Sequence, residues 1–278
     1  MVMRLVDLDN PKKTSEYLRK KNRKGASPLL AAVANGHVET VKVLLKLGSN
    51  VKSTNTDDQN VFYIAAEQNH PKVLQTLIEN NEKIADELMV HPDHKGNTAF
   101  HIAARLGHES IMNILIEIRL KYDKSDTKSN STGLESLFQF EFDAMANHNG
   151  QTPLHMACKQ GDEKITLSLV GVNSSLMNDD DMFGDTPLHI ACTFGHLNCA
   201  RILLENNSNV SCRNSKKWAP LDCAAAHGYA DVCKLLLEYR VFSLKSRAVN
   251  IRFFEDFKFK TFCTILNAIQ PTCETKHH

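Results

Sequence analysis

Apolar residues recur at i, i+3, i+4 and i+7 in six separate stretches of this chain. They read VETVKVLLKLG, PKVLQTLIEN, ESIMNILIEI, EKITLSLVGV, LNCARILLEN and ADVCKLLLEY. That period marks one face of a helix. About ten residues before each stripe stands a shorter apolar phrase. It reads QTPLHMACKQGD at 151–162 and DTPLHIACTFGH at 185–196. Looser copies are NTAFHIAARLGH at 97–108, WAPLDCAAAHGY at 218–229, ASPLLAAVANGH at 26–37 and QNVFYIAAEQNH at 59–70. Each unit therefore predicts helix, short turn, helix. Polar or Gly-containing stretches such as NHNG, DMFG and DHKG then make a hairpin turn to the next unit.

The threonine slot of T-P-L-H serves as a ruler. It falls at Ser27, Asn60, Thr98, Thr152, Thr186 and Ala219, giving spacings of 33, 38, 54, 34 and 33 residues. Three spacings share one period. The other two are that period plus about 5 and about 21 residues. Local chemistry agrees with the helices. Pro153 and Pro187 sit in a first helical turn, where a missing N–H costs nothing. Ala157 and Ala191 are small enough for close helix packing. Gly161 and Gly195 end the first helix with positive φ. The expected architecture is an all-α solenoid of about six units, at about 24–56, 57–94, 95–118, 149–182, 183–215 and 216–240.

Three segments fall outside this register. Residues 1–23 form an N-terminal segment with room for a partial repeat. Residues 119–143 are an insertion whose polar first half reads as a mobile loop. Its second half, LESLFQFEF, is apolar enough to fold back or touch a partner. Residues 241–278 form a tail holding six of the thirteen Phe, and it is positioned to cover the last unit.

Composition narrows the function. The 278 residues are 42% apolar and carry a net charge of +1, which gives no global pull toward nucleic acid or membrane. Eight cysteines without a CxxC pair suit a reducing cytosol. No run approaches the ~18 apolar residues of a membrane span. The start, MVMRLVDLDN, lacks the apolar centre of a secretory signal.

The phrase T-P-L-H-x-A at a period of 33 is the signature of ankyrin repeats, and residues 24–240 resemble that family. Within it, the chain resembles the cytoplasmic array of the ankyrin-type (A-type) transient receptor potential cation channels. That likeness rests on KGASPLLAAVANGHVETVKVLLKLGSNV, ADELMVHPDHKGNTAFHIAARLGH, LMNDDDMFGDTPLHIACTFGH and SKKWAPLDCAAAHGYADVCKLLLE. The resemblance implies an arm for assembly, partner binding or stimulus sensing. It also implies homo-oligomers if the arm belongs to a channel. It implies that His101, His155 and His189 bond between the turns of neighbouring repeats. It further implies a concave face, lined by hairpin tips and first helices, where a protein partner docks. The chain has no pore helices of its own, so it does not conduct ions as written.

The only Trp, Trp218, lies in the tip SKKWAP beside Lys216 and Lys217, and Phe183 lies at the preceding tip. An aromatic residue flanked by charge is a typical interface anchor. Such rings can equally pack between tips. Asp185, Gln151 and Asn97, just ahead of their helices, complete the expected partner-binding set. Most histidines follow the repeat period rather than ligand spacing. Cys199, Cys212, Cys223 and Cys233 also lack zinc spacing, so no metal is expected. Cys158 and Cys192 read as packing residues rather than reactive thiols. Asp179, Asp180 and Asp181 read as a solvated turn. The segment 11–24, with seven positive charges and one negative, reads as a solvated end. Its sharper reading is contact with an acidic partner, anionic lipid or an import receptor. No Ser-His-Asp array, P-loop or dinucleotide fingerprint is present, so neither catalysis nor a cofactor is expected. Two functions remain open: a cytoplasmic arm of an A-type channel, or a free-standing cytosolic adaptor or inhibitor.

Overall fold

The computed structural model describes residues 11–126, 145–172 and 175–247. Its first helix is α1 (Pro11–Arg19). Six antiparallel helix pairs follow: α2 (Pro28–Ala34) with α3 (Val38–Lys46), and α4 (Val61–Glu67) with α5 (Pro71–Asn80). After the extra helix α6 (Glu82–Val90) come α7 (Ala99–Leu106) with α8 (Glu109–Asp126) and α9 (Pro153–Gln160) with α10 (Glu163–Val172). The last pairs are α11 (Pro187–Phe194) with α12 (Leu197–Glu205) and α13 (Pro220–Ala226) with α14 (Ala230–Arg247). The array is an all-α solenoid with no strand among the described residues.

The pairs stack in two rows. The inner row runs α2, α4, α7, α9, α11, α13, and the outer row runs α3, α5, α8, α10, α12, α14. Each inner helix is short, and small residues bring the row close. Ala65, Ala103, Ala157, Ala191 and Ala224 have no exposed surface. Phe62 and Phe100 are the bulkiest fully buried side chains. Because each unit touches only its neighbours, one continuous apolar seam forms between the rows.

Helix starts explain the ruler. Ser27, Asn60, Thr98, Thr152, Thr186 and Ala219 are the six N-cap residues of the inner helices. Asn60 does most, because its Oδ1 accepts from the N–H of Phe62 and Tyr63 at 2.9 Å each. Its Nδ2 donates to the Leu88 carbonyl at 2.7 Å, which ties α6 to α4. Helix stops agree as well. Gly161 and Gly195 cap α9 and α11 with φ of 79° and 74°.

The irregular segments differ from the sequence reading at three points, one being that residues 241–247, expected as tail, continue α14 to Arg247. The extra residues of the second unit form α6 rather than a longer turn. Ala85, Leu88 and Met89 bury its apolar face against α4, α5, α7 and α8. Residues 119–126, expected as loop, continue α8 to Asp126. Arg119 pairs with Asp86 of α6, so the extension is tied to the neighbouring unit. At the start of the array, α1 buries Thr14 and Leu18 against α2 and leaves Arg19, Lys20 and Lys21 in solvent. The second half of the insertion and the tail from residue 248 lie outside the described residues.

The sixth unit has the weakest cap. The Ala219 side chain cannot accept a hydrogen bond, and only the reverse half of the capping pair is present, from its N–H to Asp222 Oδ2 at 2.8 Å. Ala219→Thr should supply the missing acceptor for α13. Urea unfolding should show a gain of about 1 kcal/mol. No change in the midpoint would mean that the start of α13 is already satisfied.

Candidate protein-binding surface

The surface is built on six turns with one geometry. Asn22, Asn55, Asp93, Asn147, Asp181 and Asn214 each lie five residues before an N-cap. In every case Oδ1 accepts two backbone N–H groups, from the second and fourth residues on, at 2.8–3.0 Å. Each residue's own N–H closes the loop onto the carbonyl of the fourth residue on, as in Asn147 to Gln151 at 2.9 Å. One side chain thus holds a finger rigid through local bonds.

Fingers are then joined to one another. Thr56 N–H donates to Lys24 O, His94 to Asp57, His148 to Lys95, Met182 to Asn149 and Ser215 to Phe183, at 2.9–3.2 Å. A second link comes from the three histidines of the repeat phrase. His101 Nε2 bonds Gln151 O at 2.9 Å, His155 bonds Asp185 O at 3.0 Å and His189 bonds Trp218 O at 3.0 Å. Their Nδ1 atoms accept the N–H of Thr98, Thr152 and Thr186 at 3.1, 3.1 and 3.2 Å. An amide N–H can only donate, so Nε2 carries the ring proton. Burial holds all three rings below the ordinary histidine pKa, with His101 lowered to about 4. They are neutral struts between repeats, as the resemblance implied.

The seven expected contact residues divide into two groups. Asn97 is only 7% exposed. Its Oδ1 accepts from Asn147 Nδ2 at 2.9 Å, and its Nδ2 reaches Asp93 Oδ2 at 3.3 Å. Gln151 Nε2 reaches Asp181 Oδ2 at 3.4 Å, and Asp185 Oδ1 accepts from Asn214 Nδ2 at 2.7 Å. These three occupy equivalent positions in successive fingers and cross-link each finger to the next. Their side chains serve the ladder, and Asn97 and Gln151 also line the groove between the third and fourth fingers. Of the other four, Phe183, Lys216 and Lys217 stand at the tips, and Trp218 holds the base position equivalent to Asn97, Gln151 and Asp185. Phe183 is 58% exposed and its neighbour Met182 60%. Trp218 is 37% exposed, with the Lys216 ammonium 5.6 Å from its ring centroid. Lys217 is exposed at a φ of 63°, where most fingers have glycine.

A family profile described as ankyrin repeats (3 copies) matches residues 2–87, 29–128, 80–178, 125–214 and 166–246. The chain belongs to the ankyrin-repeat family. It is 23% identical over 212 residues to a transient receptor potential cation channel subfamily A member 1 homolog of Caenorhabditis elegans. That match covers 76% of this chain and 15% of the worm protein. It is 25% identical over 225 residues to the Homo sapiens transient receptor potential cation channel subfamily A member 1, covering 80% and 18%. It is also 26% identical over 220 residues to the target of rapamycin complex 2 subunit AVO2 of Saccharomyces cerevisiae, covering 76% and 45%. The chain spans less than half the length of these relatives.

One expectation changes on this ankyrin frame. Asp181 is buried and accepts from Phe183 and Asp185, so it is the keystone of its finger rather than part of a solvated turn. Asp93 plays the same part. Burial pushes its carboxyl up, but the N–H groups of Asn97 and Lys95 and the Tyr63 hydroxyl outweigh this and hold it below the usual range. Tyr63 donates to Asp93 Oδ2 at 2.8 Å, and burial together with that carboxylate raises its own pKa. The six Asn/Asp positions are not apparent from any single repeat. They repeat at the same spacings as the threonine slot, which is the signal that reveals them. Cys158 and Cys192 are buried between helices, and burial pushes both thiols well up, against thiolate formation.

Two outcomes test the ladder. Gly150 has a φ of +72°, and an added Cβ would lie 2.9 Å from the Met182 nitrogen that bonds the previous finger. Gly150→Ala should cost about 2 kcal/mol or more in urea unfolding. Gly228→Ala, with a φ of +77° and nothing within 4 Å, should cost less. Equal losses would show that the finger contact contributes nothing. The histidines set a pH dependence. The unfolded chain takes up a proton near pH 6.5, while folded His101 resists until about pH 4. Stability is therefore complete above about pH 6.5 and falls as pH drops toward 4. The loss at His101 alone is about 3 kcal/mol. Unfolding midpoints across that window should fall, and His101→Gln should flatten the slope. A pH-independent midpoint would contradict neutral struts.

Proposed function

We propose that this ankyrin array is a non-catalytic arm that docks a protein partner through the fingertips of its fifth and sixth repeats. The carrying observation is the exposed set Met182, Phe183 and Trp218, with Lys216 over the indole. The ladder fixes these tips before any partner arrives, so little ordering entropy remains to be lost on binding. A rigid aromatic anchor with an adjacent cation is the composition of an interface centre. Asn97, Gln151 and Asp185 brace the fingers through their ladder bonds. Neither metal nor cofactor has a part in that role.

The specific reading is the cytoplasmic arm of an A-type transient receptor potential channel subunit. Its support is that the worm and human relatives each align with at least three quarters of this chain. No helix among the described residues is long and apolar enough to cross a membrane. On this reading the spans belong to a longer product, the array lies at the cytoplasmic face of the plasma membrane, and subunits assemble as homo-oligomers. The second reading is a free-standing cytosolic adaptor. The yeast relative favours it, because the match covers a larger share of that protein.

Sequencing the full transcript separates the two. A reading frame that continues into membrane spans is expected, and one that lacks them sinks the channel reading. For the surface itself, proteins captured from the native tissue by the wild-type array should be lost or sharply reduced with Trp218→Ala. Unchanged capture of every partner would remove Trp218 from the site.

A further inference from the structure

The repeat register orders the concave face by charge. Two repeat positions line it in the third and fourth units. One is the second residue of the fingertip, and the other is seven residues after the N-cap. From the second to the fifth repeat these are Asp57 and Glu67, then Lys95 and Arg105, then Asn149 and Lys159, then Phe183 and Thr193. Between the third and fourth repeats the face deepens into a groove of about 610 Å³. Its walls carry His94, Lys95, Arg105, His148 and Lys159. Phe194, 42% exposed, closes its far side with Met156. Lys159 Nζ stands 5.8 Å from the centroid of that ring. Among the described residues, no carboxylate lies within ion-pair reach of Lys95, Arg105 or Lys159.

We infer that this groove binds an extended acidic peptide, with carboxylates against Arg105 and Lys159 and an aromatic side chain against Phe194. The inference rests on the reading of the concave face as a protein-binding surface, and it names the partner's chemistry. Unpaired cations beside an apolar wall favour a ligand that carries both features. The spacing is set by the stack. Packed helices lie about 8–10 Å apart. Extended chain in the polyproline II form returns to the same side every third residue, a rise of about 9 Å. Acidic residues three apart, with the aromatic three further on, therefore meet successive repeats.

A longer polyanion fits less well. A nucleic acid backbone needs a continuous basic track. Here the cations are bounded by Asp57 and Glu67 on one side and by Phe183 and Thr193 on the other, and the whole chain carries only +1. A lipid surface is flat, whereas these cations line a groove behind the tips.

The test uses a fluorescent peptide with two glutamates three residues apart and a phenylalanine three further on, in a Ser/Pro background. Anisotropy against the full chain should show saturable binding that weakens with salt. Replacing both glutamates by glutamine should weaken it about tenfold or more. So should the double change Arg105→Glu and Lys159→Glu, and a lysine version of the peptide should recover binding to that variant. Both side chains are exposed, and far-UV circular dichroism verifies that the variant stays folded. Absence of saturable binding overturns the inference, as does equal binding of the glutamine peptide. Binding only of phosphatidylserine vesicles or of a single-stranded oligonucleotide also overturns it. If the peptide fails while captured partners still depend on Trp218, the groove reading falls and the fingertip reading stands.

Discussion

Everything on the binding face depends on one local bond pattern, the Asn or Asp Oδ1 that accepts two N–H groups at the base of each finger. A turn that projects from a solenoid exposes backbone donors that no helix ladder satisfies. At Asn147 the oxygen takes the N–H of Asn149 and Gln151, and the loop closes on itself. The remaining N–H, that of His148, is left facing the previous finger and bonds Lys95 O. Intra-finger order thus creates the inter-finger ladder. Asp93 and Asp181 show why either an amide or a carboxylate serves, since only the accepting oxygen is required. The second atom of the side chain is then available to neighbours, as in the Tyr63 to Asp93 bond.

The histidines couple this ladder to the core. Each ring takes the N-cap N–H of its own helix and reaches the next finger's base carbonyl. Helix start and turn geometry are therefore one connected network, and protonation at Nδ1 breaks it. Burial is what keeps the rings neutral. The same low-dielectric setting makes each strut costly to lose, because an unpaired N–H would remain inside.

Much of this was legible in the sequence because its signals are local. Pro at the first helical position, Gly at the helix end and the threonine slot act within a few residues. All six slots are N-caps in the structure. The histidine struts followed from the family pattern. Other features were hidden by reach. The Asn/Asp keystones look like ordinary loop polarity until five-residue offsets are lined up across all six repeats. Asn97, Gln151 and Asp185 looked presented because they precede helices near the tips. Their side chains turn sideways instead, toward Asp93, Asn147, Asp181 and Asn214. Helix α6 replaces a turn only because α4, α5, α7 and α8 together offer a place to bury Ala85, Leu88 and Met89, a tertiary fact without a local signature.

The two irregular spacings show which part of the design tolerates change. The N-caps of the second and third repeats are 38 residues apart, and those of the third and fourth are 54 apart. The finger bonds nevertheless cross both intervals, from His94 to Asp57 and from His148 to Lys95, at 3.2 and 3.0 Å. Extra chain is admitted only between an outer helix and the next keystone, outside the finger and its inner helix. Loop closure cost rises slowly with length, so such insertions weaken the stack little. A length change between keystone and N-cap would instead move the fingertip relative to its helix. That interval is five residues in all six repeats. The constancy fixes the frame, and the freedom of the neighbouring tip residues, from Asp57 through Lys95 to Phe183, lets one frame present a different chemistry at each step.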